Sequence, residues 1–501
     1  MLKPPSQSTN QVRPMLFAVF LVLFSLEVID SRSLVKTLPG FDGDLPFTLE
    51  TGYIGLGESD EVQLFYYFIE SEGNPKDDPL MLWMSGGPGC SSASGLFYEI
   101  GPLTFPYATS TLEKPVLELV PDSWTKVASI IFLDQPAGSG FSYARTPEAY
   151  ITNDTSAAIN SYNFLRKWLI EHPKFLNNPL YIGADSYSGI VLPIIVEEIY
   201  NGNEVGKLPH LNFKRYVLGN PLTDTNGGTN SRMPFAHRMA LLSDAIYKST
   251  KENCHGDYVN VDPDNNLCKH DLQVVNKCLE RIFTSQILEP TCDLLQMSSN
   301  LTPPGGLTAV DKTFLDNWSL AEFRCKGADI ILFLSLVLTL CVLSFTTILL
   351  PPTRPIVIKD VREALHIREE FGHIEWVRCN ETFSSKHKEA ISYTHNVVSS
   401  VDYHRRLLDK TCRALIYSGD HDMIVPYVGT LSWIESLNLP VVDDWRPWFV
   451  DKQVAGYTMK YLNDNYSLTF ASVKGGGHTA PSYKPKECLS MFMRWLADDT
   501  L

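Results

Sequence analysis

Positive charge is scarce in this sequence. Its 501 residues carry 42 Lys+Arg against 57 Asp+Glu, a formal net charge of −15. Binding a phosphate backbone takes clustered Lys and Arg, so a nucleic-acid partner is excluded. Cys-x-x-Cys pairs are absent although the chain has ten Cys, so zinc-site spacing is missing and no metal is expected. There is no internal repeat and no low-complexity tract. With 44% apolar and 20% charged residues, the composition is globular and excludes disorder and collagen-like chains.

Two long apolar runs stand out instead. The first, Met15 to Leu26, follows Lys3 and Arg13 and ends in polar EVIDSRS. A basic start, a short apolar core and a polar exit describe a secretory signal peptide, with cleavage expected between Asp30 and Leu34. An uncleaved signal anchor is the alternative, but the run is short for a membrane span. Five N-x-S/T sequons, at Asn153, Asn300, Asn317, Asn380 and Asn465, fit a secreted glycoprotein. In an oxidising lumen the Cys are expected in disulfides. The second run, Ile330 to Leu350, has 21 residues without a charge and the length of a transmembrane helix.

The rest of the chain divides by rhythm. Residues 34–225 repeat an apolar run, a turn and a helical pattern, as in PLMLWMSGG, ASIIFLDQP and NPLYIGADSYSG. That order predicts an α/β fold with a largely parallel sheet. Residues 226–326 lose the rhythm and read as a helical cap or insertion stapled by Cys. Residues 327–356 hold the anomalous second run. The rhythm returns over 357–501, with CRALIYSGD and LTFASVKGGG as buried strands.

The strongest chemical signal is NPLYIGADSYSGIVLPIIVEEI. An apolar strand ends near Gly183, a helix begins near Gly189, and Ser186 lies between them, with Ala184 and Ser188 two positions to either side. Small residues there allow the sharp strand-to-helix turn that lifts a nucleophilic hydroxyl clear of the backbone. The helix N-terminus behind it favours developing negative charge. An ordinary helix-capping Ser is the plainer reading. A nucleophilic Ser needs a base, and the base needs a carboxylate to orient it. Downstream, DHDMIVP offers Asp420 or Asp422 just past one strand, and GGGHTAP places His478 in a Gly-rich loop past another. Both sit at the carboxyl ends of strands, where such sheets carry their chemistry. The backbone N–H groups of Tyr187 and Gly87 are the expected oxyanion donors, Gly87 from the loop of LMLWMSGGPGCSS.

These stretches resemble the plant serine carboxypeptidase-like family. WMSGGPGCSSASGLFYEIGPL, FLDQPAGSGFSYA, GADSYSGI, GNPLTD, VREALHI, YSGDHDMIVPYVGT and GGGHTAP all match its pattern, over about residues 35–326 and 357–499. The resemblance implies an α/β-hydrolase fold with an inserted cap, and assigns Ser186 as nucleophile, Asp422 as acid and His478 as base. It suggests the disulfides Cys90–Cys379, Cys254–Cys268 and Cys292–Cys325. It implies no cofactor. Family carboxypeptidases usually carry an Asn in the oxyanion loop and a Glu before the nucleophile, which bind a peptide's terminal carboxylate. Ser85, beside Gly86, and Asp185 stand there in this sequence, and both are shorter. The two changes resemble the acyltransferase branch, which moves an acyl group from a 1-O-acyl-glucose donor to a hydroxyl acceptor. Peptide C-termini as substrate are the first alternative, and a catalytically dead binding partner the second. The resemblance further suggests the apoplast or the vacuole as the destination.

The same assignment bears on the second run. A single span there would leave Ser186 on one side of a membrane and Asp422 and His478 on the other. The three residues must touch, so no functional span is expected, and the run reads as a gene-model artefact or a false membrane signal.

Overall fold

The computed structural model describes residues 32–106, 115–290, 354–368, 376, 378–380 and 393–501. Met15–Leu26 and Ile330–Leu350 lie outside them, as do Cys292, Cys325, Asn300 and Asn317. Among the described residues no helix is long and apolar enough to cross a membrane.

Short buried runs make the centre of one twelve-stranded sheet. Its principal strands are β1 (Arg32–Val35), β2 (Leu49–Leu56), β3 (Val62–Ile69), β4 (Leu80–Met84), β5 (Ser129–Leu133), β6 (Leu180–Asp185) and β7 (Phe213–Gly219). Then follow β8 (Cys412–Gly419), β9 (Val441–Val450), β10 (Gln453–Asn463) and β11 (Tyr466–Val473). The spatial order is β1-β2-β3-β5-β4-β6-β7-β8-β11-β10-β9. Pairing from β5 through β11 is parallel; β1–β3 at one edge and β9–β10 at the other add antiparallel wings. Parallel strands are covered on both faces, which is why β4, β5 and β6 read as unbroken apolar runs.

Alternate side chains serve two cores. Leu80, Leu82, Met84, Ile182 and Ala184 face one core with Phe164, Trp168, Val191 and Ile195. Those last four come from α1 (Asp154–Glu171) and α2 (Ser188–Glu204), which cover that face. Met81, Trp83, Val217, Leu415 and Tyr417 point the other way, toward Trp124, Phe492 and Trp495. There Trp124 and Phe492 stack with centroids 4.2 Å apart.

Between β7 and the region before β8, short helices at Thr225–Asn230, Arg232–Arg238, Asp244–Asn253 and Asn266–Leu279 form their own small core. Phe235, Leu242, Val275 and Ile287 meet Met423 there, next to the acid loop. Cys254 and Cys268 are disulfide-bonded within this segment, and Cys90 and Cys379 are bonded across the main body. Both bonds fit an oxidising compartment.

Candidate active site

β6 ends at Asp185 and α2 starts at Ser188, so Ser186 sits in the turn between them. Its φ of +53° is left-handed, a conformation that costs a non-glycine residue energy. The surroundings enforce it. Ser186 N–H donates to Gly219 O at 3.0 Å, and Ser186 O accepts from Leu222 N–H at 2.9 Å. Gly86 crowds the same turn: a Cβ there would lie 2.6 Å from Ser186 Cβ and 2.7 Å from Tyr187 N, so only glycine fits.

The turn presents Ser186 Oγ to His478 Nε2 at 2.8 Å, and His478 Nδ1 meets Asp422 Oδ2 at 2.8 Å. Asp422 is fully buried and well supplied with donors. Asn220 Nδ2 reaches its Oδ2 at 2.8 Å, and Ile424 N–H reaches its Oδ1 at 2.7 Å. Asp420 does something else. Its Oδ1 accepts from Gly475 N–H at 2.7 Å, holding the start of the Gly-rich loop. The two Asp left open by spacing are thus separated by geometry. Burial lowers the basicity of His478, but the charge and hydrogen bond of Asp422, with the charge of Asp185, outweigh it and leave its pKa raised.

The three glycines before His478 do not leave its loop loose. Instead the loop is pinned by a strap at residues 284–287 from the end of the helical segment. His478 N–H donates to Ser285 O at 2.7 Å, and Gln286 Nε2 donates to Gly475 O at 3.1 Å. Met423 N–H donates to Thr284 O at 2.8 Å and Ile287 N–H to His421 O at 3.2 Å. A Cβ on Gly477 would come within 2.4 Å of Ser285 O. Glycine there permits close packing, not freedom. Nothing in the local sequence signals the strap.

Gly87 sits beside this turn at φ +118°, and neither its N–H nor that of Tyr187 is spent on a backbone acceptor among the described residues. Ser85 and Asp185 are buried next to it. Ser85 Oγ and Asp185 Oδ1 have no hydrogen-bond partner among the described residues, so both are open to a group from outside the chain. Burial pushes the Asp185 carboxyl up to about 6, while His478, the Gly86 amide and Arg378 pull it back.

Glu99, which the sequence did not single out, is buried within electrostatic reach of Asp185. Burial and then the charge of Asp185 push its carboxyl well above the usual range, against the pull of Arg378. Its sequence signal was a lone acid in the apolar stretch GLFYEIGPL. Arg378 is brought close by the Cys90–Cys379 bridge and by Ser91 N–H donating to Arg378 O at 2.7 Å.

The sequons within the described residues differ in setting. Asn465 is exposed in the turn between β10 and β11. Asn153 Oδ1 caps α1 through Ser156 N–H, and Asn380 Nδ2 donates to Gly138 O at 3.1 Å.

A serine carboxypeptidase family profile matches residues 39–498 of this chain. The chain belongs to the serine carboxypeptidase family. Its relatives include serine carboxypeptidase-like 1 and serine carboxypeptidase-like 17 of Arabidopsis thaliana. The first is 46% identical, covering 97% of this chain and 98% of the relative. The second is 45% identical, covering 96% and 97%. Among solved structures, a prohormone-processing carboxypeptidase from Saccharomyces cerevisiae shares the fold, with a TM-score of 0.63 at 20% identity, covering 90% of this chain and 92% of that one. This serine carboxypeptidase-like protein therefore has the α/β-hydrolase fold of its family and its Ser-dependent chemistry.

Proposed function

We propose that this serine carboxypeptidase-like protein is an acyltransferase. It takes an acyl group from a 1-O-acyl-glucose ester and gives it to a hydroxyl acceptor. Ser186 is the nucleophile, His478 the base and Asp422 its orienting acid. His478 Nε2 removes the Ser186 proton as Oγ attacks the ester carbonyl. The Gly87 and Tyr187 N–H groups take the oxyanion. The tetrahedral adduct collapses, the ester C–O bond breaks, and the proton on His478 goes to the departing glucose oxygen. His478 then deprotonates the acceptor hydroxyl as it attacks the acyl carbonyl; the acyl–Oγ bond breaks and the proton on His478 returns to Ser186 Oγ.

The observation that carries this reading is the pair of unpaired buried atoms, Ser85 Oγ and Asp185 Oδ1. When ionised, the Asp185 carboxyl offers acceptors and no donor. A sugar hydroxyl donates to it; a peptide's terminal carboxylate does not and is repelled. A site built for one hydrogen-bond pattern discriminates strongly against the other.

One observation favours the carboxypeptidase reading. Glu99 and Asp185 are both buried and both raised, so in acid the pair holds a proton that a substrate carboxylate can accept. Incubating purified protein with a panel of acyl-glucose donors plus a hydroxyl acceptor, and separately with blocked dipeptides, separates the two. Transfer product with free glucose is expected. Rapid release of the C-terminal amino acid without any transfer product would sink the acyltransferase reading.

The two disulfides support the secretory route, with the apoplast or the vacuole as its end.

A further inference from the structure

Two polar residues stand at the start of α1, and the helix uses one of them. Asn153 caps it. Asp154, the next residue, is fully buried. A buried carboxylate is costly unless its oxygens are hydrogen-bonded. Asp154 Oδ1 accepts from Tyr187 Oη at 2.6 Å and from Tyr393 Oη at 2.8 Å. Its Oδ2 accepts from Val397 N–H at 2.9 Å.

The first of these donors adjoins the chemistry, because Tyr187 directly follows Ser186. With its single proton given to Asp154, the Tyr187 hydroxyl accepts from His395 Nδ1–H at 2.5 Å. The ring is gripped at its tip and packed beside Ile190 and Tyr393. Segment 393–397 does not need Asp154 alone to dock. Tyr393 and Thr394 pair with Thr152 and Asn153, and Asn396 bonds Thr155 through both ends of its amide. The Tyr187 bond is a further restraint, aimed at the strained turn.

We propose that Asp154 is a positioning residue for the oxyanion hole. By holding the Tyr187 ring, it fixes the plane of the Ser186–Tyr187 peptide, whose N–H is one of the two donors. A left-handed serine keeps its conformation only when its surroundings over-determine it. Gly219 and Leu222 restrain the Ser186 backbone from one side. Asp154 restrains its neighbour from the other. Misaligning such a donor by a fraction of an ångström weakens it in the transition state far more than in the ground state.

This inference rests on the active-site reading above. It does not depend on the substrate, so the probe is a fluorophosphonate, which needs the nucleophile, the base and the oxyanion donors. Wild type, Asp154→Ala, Tyr187→Phe and the double variant are compared for kinact, KI and melting temperature. Each single variant is expected to lose about 10- to 100-fold in kinact with KI within about twofold. Asp154→Asn, which keeps one acceptor, should recover part of the rate. The double variant should be no slower than the slower single one, because both remove one link. Wild-type kinact in Asp154→Ala, a loss confined to melting temperature, or losses that multiply in the double variant would overturn the proposal. If Asp154→Ala does not fold, Tyr187→Phe alone decides: it lacks one hydroxyl, and an unchanged kinact contradicts the proposal. A wild-type protein that does not label overturns the active-site reading, and this inference with it.

Discussion

His478 is where burial and charge compete most directly. Its raised pKa means that the imidazole stays protonated to a higher pH than the ordinary value of about 6.5. A general base must be neutral, so activity should rise with pH through a midpoint above that value. The sign for stability is opposite. A raised pKa contributes folding free energy that is fully present below the unfolded pKa and is lost as pH rises through the folded one. Asp422→Asn should lower kcat by roughly 10⁴-fold and move the acid limb of the kcat/KM profile downward, since the main raising influence is gone. An unmoved limb would mean that another group controls the rate. At this scale much was legible. Ser186 and His478 stood out from their turns and glycines, and spacing narrowed the acid to two candidates. Three residues were not legible. Asn220 reaches Asp422 from just past a strand, Glu99 influences Asp185 from the end of a short helix, and Asp154 reaches Tyr187 from a helix start. No local pattern distinguishes them from a turn Asn, a stray Glu or a capping Asp.

Among elements, the parallel strands were the easiest to read, because burial on both faces writes an unbroken apolar run. The antiparallel wing was harder. β9 carries Asp443, Asp444 and Pro447 among Trp445, Trp448 and Phe449, and most of its side chains are not buried. An edge strand with mixed exposure gives no clear period. The strap at residues 284–287 was invisible for another reason: three of its four bonds use backbone N–H and C=O groups, which every sequence has. Its test is Gly477→Ala. The added methyl would meet Ser285 O at 2.4 Å, so the strap or the His478 loop must shift. We expect a loss of about 1–3 kcal/mol in stability, the usual range for overpacking, together with slower fluorophosphonate labelling. Stability and labelling both at wild-type levels would show that the strap does not set the His478 loop.

At the scale of the whole molecule, the strands on either side of the second apolar run are neighbours. β6 and β7 precede residues 330–350, β8 and β11 follow them, and all four strands are hydrogen-bonded neighbours in one sheet. Ser186 and His478 touch across the same interval of sequence. Both flanks of the run therefore belong to one folded sheet and are expected in one compartment. The sequons check this. Asn153 lies before the run and Asn465 after it. On expression in a secretory system, Asn153→Gln and Asn465→Gln should each remove one glycan. A glycan on one flank only, with the other sequon never modified, is the pattern of a single span.

The acyl-enzyme on Ser186 is the claim from which the rest follows. The direct measurement is the mass of the Ser186 peptide after brief incubation with a 1-O-acyl-glucose donor and an acid quench. The expected result is an added acyl group on that peptide, glucose released in equal amount, and loss of the adduct when a hydroxyl acceptor is supplied. An unmodified Ser186 peptide, from protein that rapidly removes C-terminal residues from blocked dipeptides, would contradict it.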